Sequence, residues 1–179
     1  MKFISQGLAT VALIAASVGA IPDGIELGEV FGGTHGEKYS DLSMVKSGQI
    51  VKAVRIRTDE HVNGVGIIAA DVKGDPTVWY HGGDDRGSET LTFGRGEYVI
   101  GIEAHWGKCH SHTCISYIKL TTNGNITLEG GTKTTKVGTD SAPEGYQLGG
   151  FQGTTGKELD SVGAIWVKID ASDDSDSSL

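Results

Sequence analysis

A chain of 179 residues with 28 glycines suits one domain with a sizeable core, and so much glycine argues for short strands and tight turns rather than long helices. The formal net charge of −8, with no clustered basic face, excludes a nucleic-acid partner held by phosphate neutralisation. Beyond one short apolar run near the N-terminus, no segment approaches the length that crosses a bilayer, so no membrane insertion is expected.

Met1 to Ala20 carries Lys2, an apolar run from Leu8 to Val18 and small residues ending at Gly19-Ala20. This reads as a secretory signal peptide cut after Ala20, which makes the mature chain a secreted protein. Residues 21–30 form an N-terminal extension, loosely patterned, in which Pro22 and Gly24 discourage regular structure. The domain proper is expected over residues 31–170. Residues 171–179, rich in Asp and Ser, cannot bury enough apolar surface to offset the entropy of ordering and read as a disordered tail.

Inside the domain, Gly-Gly pairs at Gly32-Gly33, Gly82-Gly83 and Gly130-Gly131 recur roughly every fifty residues, the spacing of an internal repeat. A further pair, Gly149-Gly150, breaks that period. Strands are expected over 51–57, 64–71, 78–81, 98–104, 115–121 and 126–129, most of them alternating apolar with polar residues. The pattern predicts an all-β fold of three similar units, each of three or four strands, around one core. Aligned at their strand starts, the units place Lys52, Ser116 and Asp160 at one position. Only the third unit then holds an acceptor carboxylate, which implies one ligand site per chain.

Cys109-His110-Ser111-His112-Thr113-Cys114 has the residue types of a zinc or copper site, but its spacing fits no common finger. In an oxidising compartment, two cysteines facing each other across a hairpin are expected to form a disulfide, Cys109 to Cys114. His110 and His112 are then expected to be solvent-facing loop residues near Trp106. Asn125-Ile126-Thr127 is a glycosylation sequon. Glu97, Glu103, Asp84 and Asp85 show no fixed partner and no Gly-x-Ser-x-Gly elbow occurs, so no catalytic residue is assigned and the protein is read as a non-enzyme.

Gly156-Lys157-Glu158-Leu159-Asp160, leading into Ser161 to Ile169, reads as a tight turn feeding a strand. Backbone N–H groups that donate, and a carboxylate that accepts from two hydroxyls, can grip a small polyhydroxylated ligand. The runs Gly96 to Glu103, Ile118 to Asn123 and Gly149 to Gly163 resemble the jacalin-related lectins. The last carries that family's signature of a glycine, three variable residues and an aspartate. The resemblance implies a β-prism I of three four-stranded antiparallel sheets with pseudo-threefold symmetry, and sugar binding that needs no metal or other cofactor. It also implies a site built from Gly36, Trp106 and the turn residues Gly156, Lys157, Glu158 and Asp160.

In the family, galactose preference goes with a chain cut just before the N-terminal glycine. Here Gly36 follows Ile21 to His35, so its nitrogen is an uncharged amide and mannose- or glucose-type glycans are the expected ligands. Glycans or glycoproteins are the expected partners, and a homo-oligomer is compatible with what relatives of this kind do. The alternative is a secreted glycan-acting enzyme or a metal-binding protein on the same scaffold.

Overall fold

Alternating apolar residues drive the chain into strands whose inner faces meet in one core. The computed structural model describes residues 20–70, 75–83 and 87–170. The strands are β1 (Ile25–Gly32), β2 (Glu37–Ser40), β3 (Ile50–Thr58), β4 (Val62–Ala70), β5 (Pro76–Gly82) and β6 (Glu89–Thr92). They continue with β7 (Val99–Cys109), β8 (His112–Thr122), β9 (Thr127–Gly131), β10 (Lys136–Ser141), β11 (Tyr146–Thr155) and β12 (Leu159–Lys168). Three four-stranded antiparallel sheets result, ordered β1-β12-β11-β2, β9-β8-β7-β10 and β5-β4-β3-β6. This is the all-β, three-sheet prism that the resemblance implies. Among the described residues no helix is long and apolar enough to cross a membrane. The signal peptide, the acidic tail and the Asp84-Asp85 pair lie outside the described residues, apart from Ala20.

Each sheet turns one face inward. Ile56, Val65 and Ile67 from the β3-β4 sheet meet Ile102, Ile118 and Leu120 from the β7-β8 sheet and Phe151, Val162 and Trp166 from the β11-β12 sheet, all buried in one cluster. Burying a side chain of this size contributes about 1.5–3 kcal/mol, so this shared interior dominates the stability. Polar pins join the sheets at its edges. The Trp166 Nε1–H donates to Asp140 Oδ2 at 3.0 Å. The buried Asp41 lies 2.6 Å from His81 Nε2 through one carboxylate oxygen and accepts the Phe151 N–H at 2.9 Å through the other.

The Gly-Gly pairs mark equivalent corners. Gly32, Gly82 and Gly131 have φ of 113°, 122° and 90°, which glycine alone adopts without strain. The residue after each donates its N–H across to the neighbouring inner strand: Gly33 to the Asp160 carbonyl at 2.7 Å, Gly83 to that of Asn63 at 3.0 Å, and Thr132 to that of Ser116 at 2.7 Å. The corners therefore align Asp160, Ser116 and Asn63.

That alignment corrects the expected register in the first unit, because Lys52 lies on β3, which corresponds to β11 and β7 rather than to β12. The apolar pattern of β3 imitates that of β12, and only the sheet order separates them. A second correction concerns residues 21–30, where Ile25 onward forms β1 and pairs with β12 from Ile25↔Val167 to Gly32↔Ser161. Its local sequence is weakly patterned because an edge strand draws its order from its partner. The expected strand over 98–104 extends to Cys109, and that over 115–121 begins at His112.

Candidate functional site

Three hairpins of equivalent position, β3-β4, β7-β8 and β11-β12, bring their tips together at one end of the prism. Glu158 from the β11-β12 turn lies there with His61 Nδ1 at 3.8 Å and His110 Nδ1 at 3.9 Å from its Oε1. The β7-β8 tip is closed by the Cys109–Cys114 disulfide, with Cα atoms 5.7 Å apart, as expected. The bridge removes both thiolates from metal chemistry, although their sulfurs lie close to His61 and Glu158.

Beside this tip, the β1-β2 connection crosses the start of β8 and the start of β12. A Cβ on Gly33 would sit 2.7 Å from the Thr113 carbonyl, and one on Gly36 would sit 2.6 Å from the Thr155 carbonyl and against Asp160 Oδ2. Gly36, at φ 81°, is needed because the chain presses onto the carboxylate and the β11 backbone. Asp160 and Thr155 thus fill the space that a Cβ would take, while the Gly36 backbone stays exposed.

The Gly156 N–H is engaged by the Glu158 carbonyl at 3.0 Å, and the Thr155 hydroxyl donates to the same carbonyl at 3.1 Å. These two bonds clamp the turn. Among the described residues, the N–H groups of Gly36, Lys157 and Glu158 make no hydrogen bond within the protein. They flank Asp160, whose side chain is only 1% exposed.

Of the two histidines between the cysteines, His110 is exposed at the β7-β8 turn, as expected. His112 does not face solvent in a loop; it opens β8, with its Nε2 3.0 Å from Asp160 Oδ1. His35 stacks on it with ring centroids 4.4 Å apart and places Nδ1 3.8 Å from the same oxygen. The His112 contact is close but poorly aligned, and Oδ1 is left buried with no hydrogen-bond partner. Burial pushes the Asp160 carboxyl above the ordinary aspartate range, against the pull of His112 and His35.

His35 and His112 are far apart in the chain, and each alone reads as an ordinary polar residue. A signal was present in the β7-β8 loop, where histidines sit at alternate positions flanked by cysteines, but nothing local pointed it at Asp160.

Trp106 is half-buried in β7 with its ring stacked on Phe31, centroids 5.9 Å apart and planes at 13°. The structure gives it a packing role, and the rings that face Asp160 are imidazoles. Asn125 is exposed in the β8-β9 turn at φ 61°, a conformation asparagine tolerates. Of the carboxylates weighed for hydrolysis, Glu97 accepts from the Gly94 N–H and the Thr122 hydroxyl. Glu103 lies beside His105 and Lys119, and the His105 hydrogen bond holds its carboxyl below the ordinary range. Glu103 lies on β7 and Glu97 in the β6-β7 connection, neither of them at the signature turn.

A three-sheet prism with its signature turn at the convergence of three hairpins defines a carbohydrate-binding class of protein. The sequence matches the jacalin-like lectin domain over residues 28–165, and the chain belongs to that family. It is 29% identical over 170 residues, 93% of this chain and 94% of the relative, to the secreted RxLR effector protein 19 of Plasmopara viticola. Among solved structures it resembles wild-type Malaysian banana lectin (TM-score 0.68, 21% identity, 81% of this chain and 99% of that one). It also resembles a mannose-binding jacalin-related lectin from Ananas comosus (TM-score 0.69, 18% identity, 82% and 99%). A third neighbour is the Calsepa lectin in complex with a biantennary N-glycan (TM-score 0.70, 19% identity, 83% and 99%). At these identities the structural likeness concerns the fold.

Proposed function

We propose that this protein is a secreted lectin that holds one mannose- or glucose-type sugar at the Gly156–Asp160 turn and Gly36. The observation that carries the reading is the pairing of unspent donors with an unsatisfied acceptor. The N–H groups of Gly36, Lys157 and Glu158 have no partner among the described residues, and Asp160 Oδ1 has none either. Sugar hydroxyls can both accept from such N–H groups and donate to such a carboxylate oxygen. Because the Gly36 nitrogen lies in an unbroken chain, it donates one bond in a fixed direction and suits an equatorial hydroxyl.

Two neighbours described by their sugar ligands, the mannose-binding lectin and the N-glycan complex, support the ligand class. The relative named as a secreted effector supports export. His35 is the access residue: its side chain is 66% exposed and stands over a carboxylate that is otherwise shut in. A sugar reaches Asp160 when that ring swings aside.

A few hydrogen bonds at a net of about 0.5–1.5 kcal/mol each, offset by lost ligand freedom, give weak monosaccharide binding, roughly millimolar. Calorimetry with methyl mannoside and methyl galactoside, in buffer containing a chelator, tests the reading. Saturable mannoside binding that Asp160→Ala removes is the expected result. Galactoside preference by the uncut chain overturns the specificity, and parental binding by Asp160→Ala overturns the site.

A further inference from the structure

We propose that His35, His112 and Asp160 form a binding site for a divalent transition-metal ion of the zinc type, held by two imidazole nitrogens and Asp160 Oδ1. The inference stands on the side chains alone and does not need the sugar reading, with which it shares Asp160.

Zinc takes nitrogen and carboxylate ligands at about 2.0–2.2 Å in a tetrahedral array, which puts ligand atoms about 3.4 Å apart. His112 Nε2 and His35 Nδ1 lie 3.0 and 3.8 Å from Asp160 Oδ1, on either side of that spacing. Donor atoms of all three residues fall within 4.8 Å of one another. His35 is exposed on the β1-β2 connection, so its ring is free to adjust toward zinc bond lengths.

A second observation points to a cation independently of the spacing. Asp160 is 1% exposed, and its Oδ1 has no hydrogen-bond partner despite two imidazoles nearby. A buried carboxylate oxygen without a donor is costly. His112 Nε2 lies 3.0 Å from Oδ1 without forming a hydrogen bond to it, and His35 Nδ1 stands too far at 3.8 Å, so neither ring satisfies the oxygen. A metal there satisfies the oxygen and explains why two rings stack side by side against one carboxylate. Two imidazoles and one carboxylate suit zinc, copper or nickel and not calcium or magnesium, which take oxygen ligands. With three protein ligands, one coordination position stays open to solvent or to a ligand hydroxyl.

The neighbouring cluster provides an internal control. His61 and His110 also flank a carboxylate, Glu158, but at 3.8 and 3.9 Å. The cysteines beside it are oxidised to a disulfide, so no thiolate is available to it.

The test uses untagged protein from an oxidising host, stripped with chelator and titrated with zinc chloride by calorimetry. One equivalent is expected to bind, and cobalt substitution should show the visible absorption of a tetrahedral site. His35→Asn and His112→Asn should each weaken zinc by at least about tenfold, whereas His61→Asn should leave it unchanged. His35 is exposed, so its replacement does not threaten the fold. Absence of zinc uptake, uptake that both His35→Asn and His112→Asn leave intact, or equal loss in His61→Asn overturns the site. Methyl mannoside binding measured in chelator reports separately on the sugar reading. Sugar binding without zinc uptake refutes the metal site alone, and zinc uptake without sugar binding refutes the lectin site alone.

Discussion

Asp160 carries the tension of this molecule at the scale of one residue. Its carboxyl is raised above the ordinary aspartate range chiefly by burial, so across the window between the ordinary and the raised value the folded chain binds more protons than the unfolded one. Stability contributed by the protonated form is present on the acid side and lost as pH rises through the raised value, so at neutral pH the ionised group is a cost. Removing the charge should therefore stabilise the fold while disabling the site. Asp160→Asn is expected to match or exceed the parent's melting temperature at neutral pH and to lose at least about tenfold in sugar affinity. A melting temperature several degrees lower would make the carboxylate a structural support instead. The converse holds for the parent: sugar binding needs the ionised form, so affinity should fall on acidification at a pH above the ordinary aspartate range. His35 supplies the complementary variant. With its ring gone, the carboxylate opens to solvent, and His35→Ala is expected to bind methyl mannoside more tightly, by up to about tenfold. Unchanged affinity would show that the ring does not control access.

At the scale of elements, the β7-β8 hairpin determines whether the site is assembled. The disulfide closes a four-residue loop that ends two residues after His112, so it holds that histidine against β12. Closing so short a loop contributes about 2–3 kcal/mol in the chain-entropy account. Reduction, or replacement of both Cys109 and Cys114 by serine, should lower the melting temperature and loosen His112 from Asp160. Intact mass before and after alkylation establishes the bond, and a comparison of melts measures its contribution. Trp106, on the same hairpin, belongs to the packing side of the account. Its stack on Phe31 ties β7 to β1, so Trp106→Ala is expected to destabilise by about 2–4 kcal/mol while sugar affinity stays near the parent's. An affinity loss without a change in melting would restore it to the sugar site.

For the whole molecule, pseudo-threefold symmetry multiplies the scaffold and not the site. The three corners present Asp160, Ser116 and Asn63 at one position, and only the aspartate supplies a carboxylate. One sugar per chain is therefore expected in calorimetry. A second equivalent of comparable affinity would mean that the Asn63 or Ser116 corner also binds. A single millimolar site gains useful strength only when several chains or several sugars are presented together. Binding to a dense glycan surface should accordingly exceed monosaccharide affinity if the chain self-associates, which sedimentation and surface binding measured on the same sample can relate.

What the amino-acid sequence determined by itself was whatever local chemistry imposes. The glycine corners, the apolar alternation of the inner strands, the cysteine pair and the Gly156–Asp160 turn are all legible, because each works through residues close in the chain. The tertiary structure decided the rest. β1 was hidden, since Ile25 to Gly32 is ordered by its pairing with β12. The first-unit equivalent of Asp160 is Asn63 and not Lys52, because strand position in a sheet is a matter of long-range pairing. His35 and His112 meet over Asp160 only when the β1-β2 connection, β8 and β12 come together, and no local pattern encodes that meeting. A titratable group's neighbours are set by the fold, so the character of this site, a buried carboxylate under two stacked imidazoles, became visible only in three dimensions.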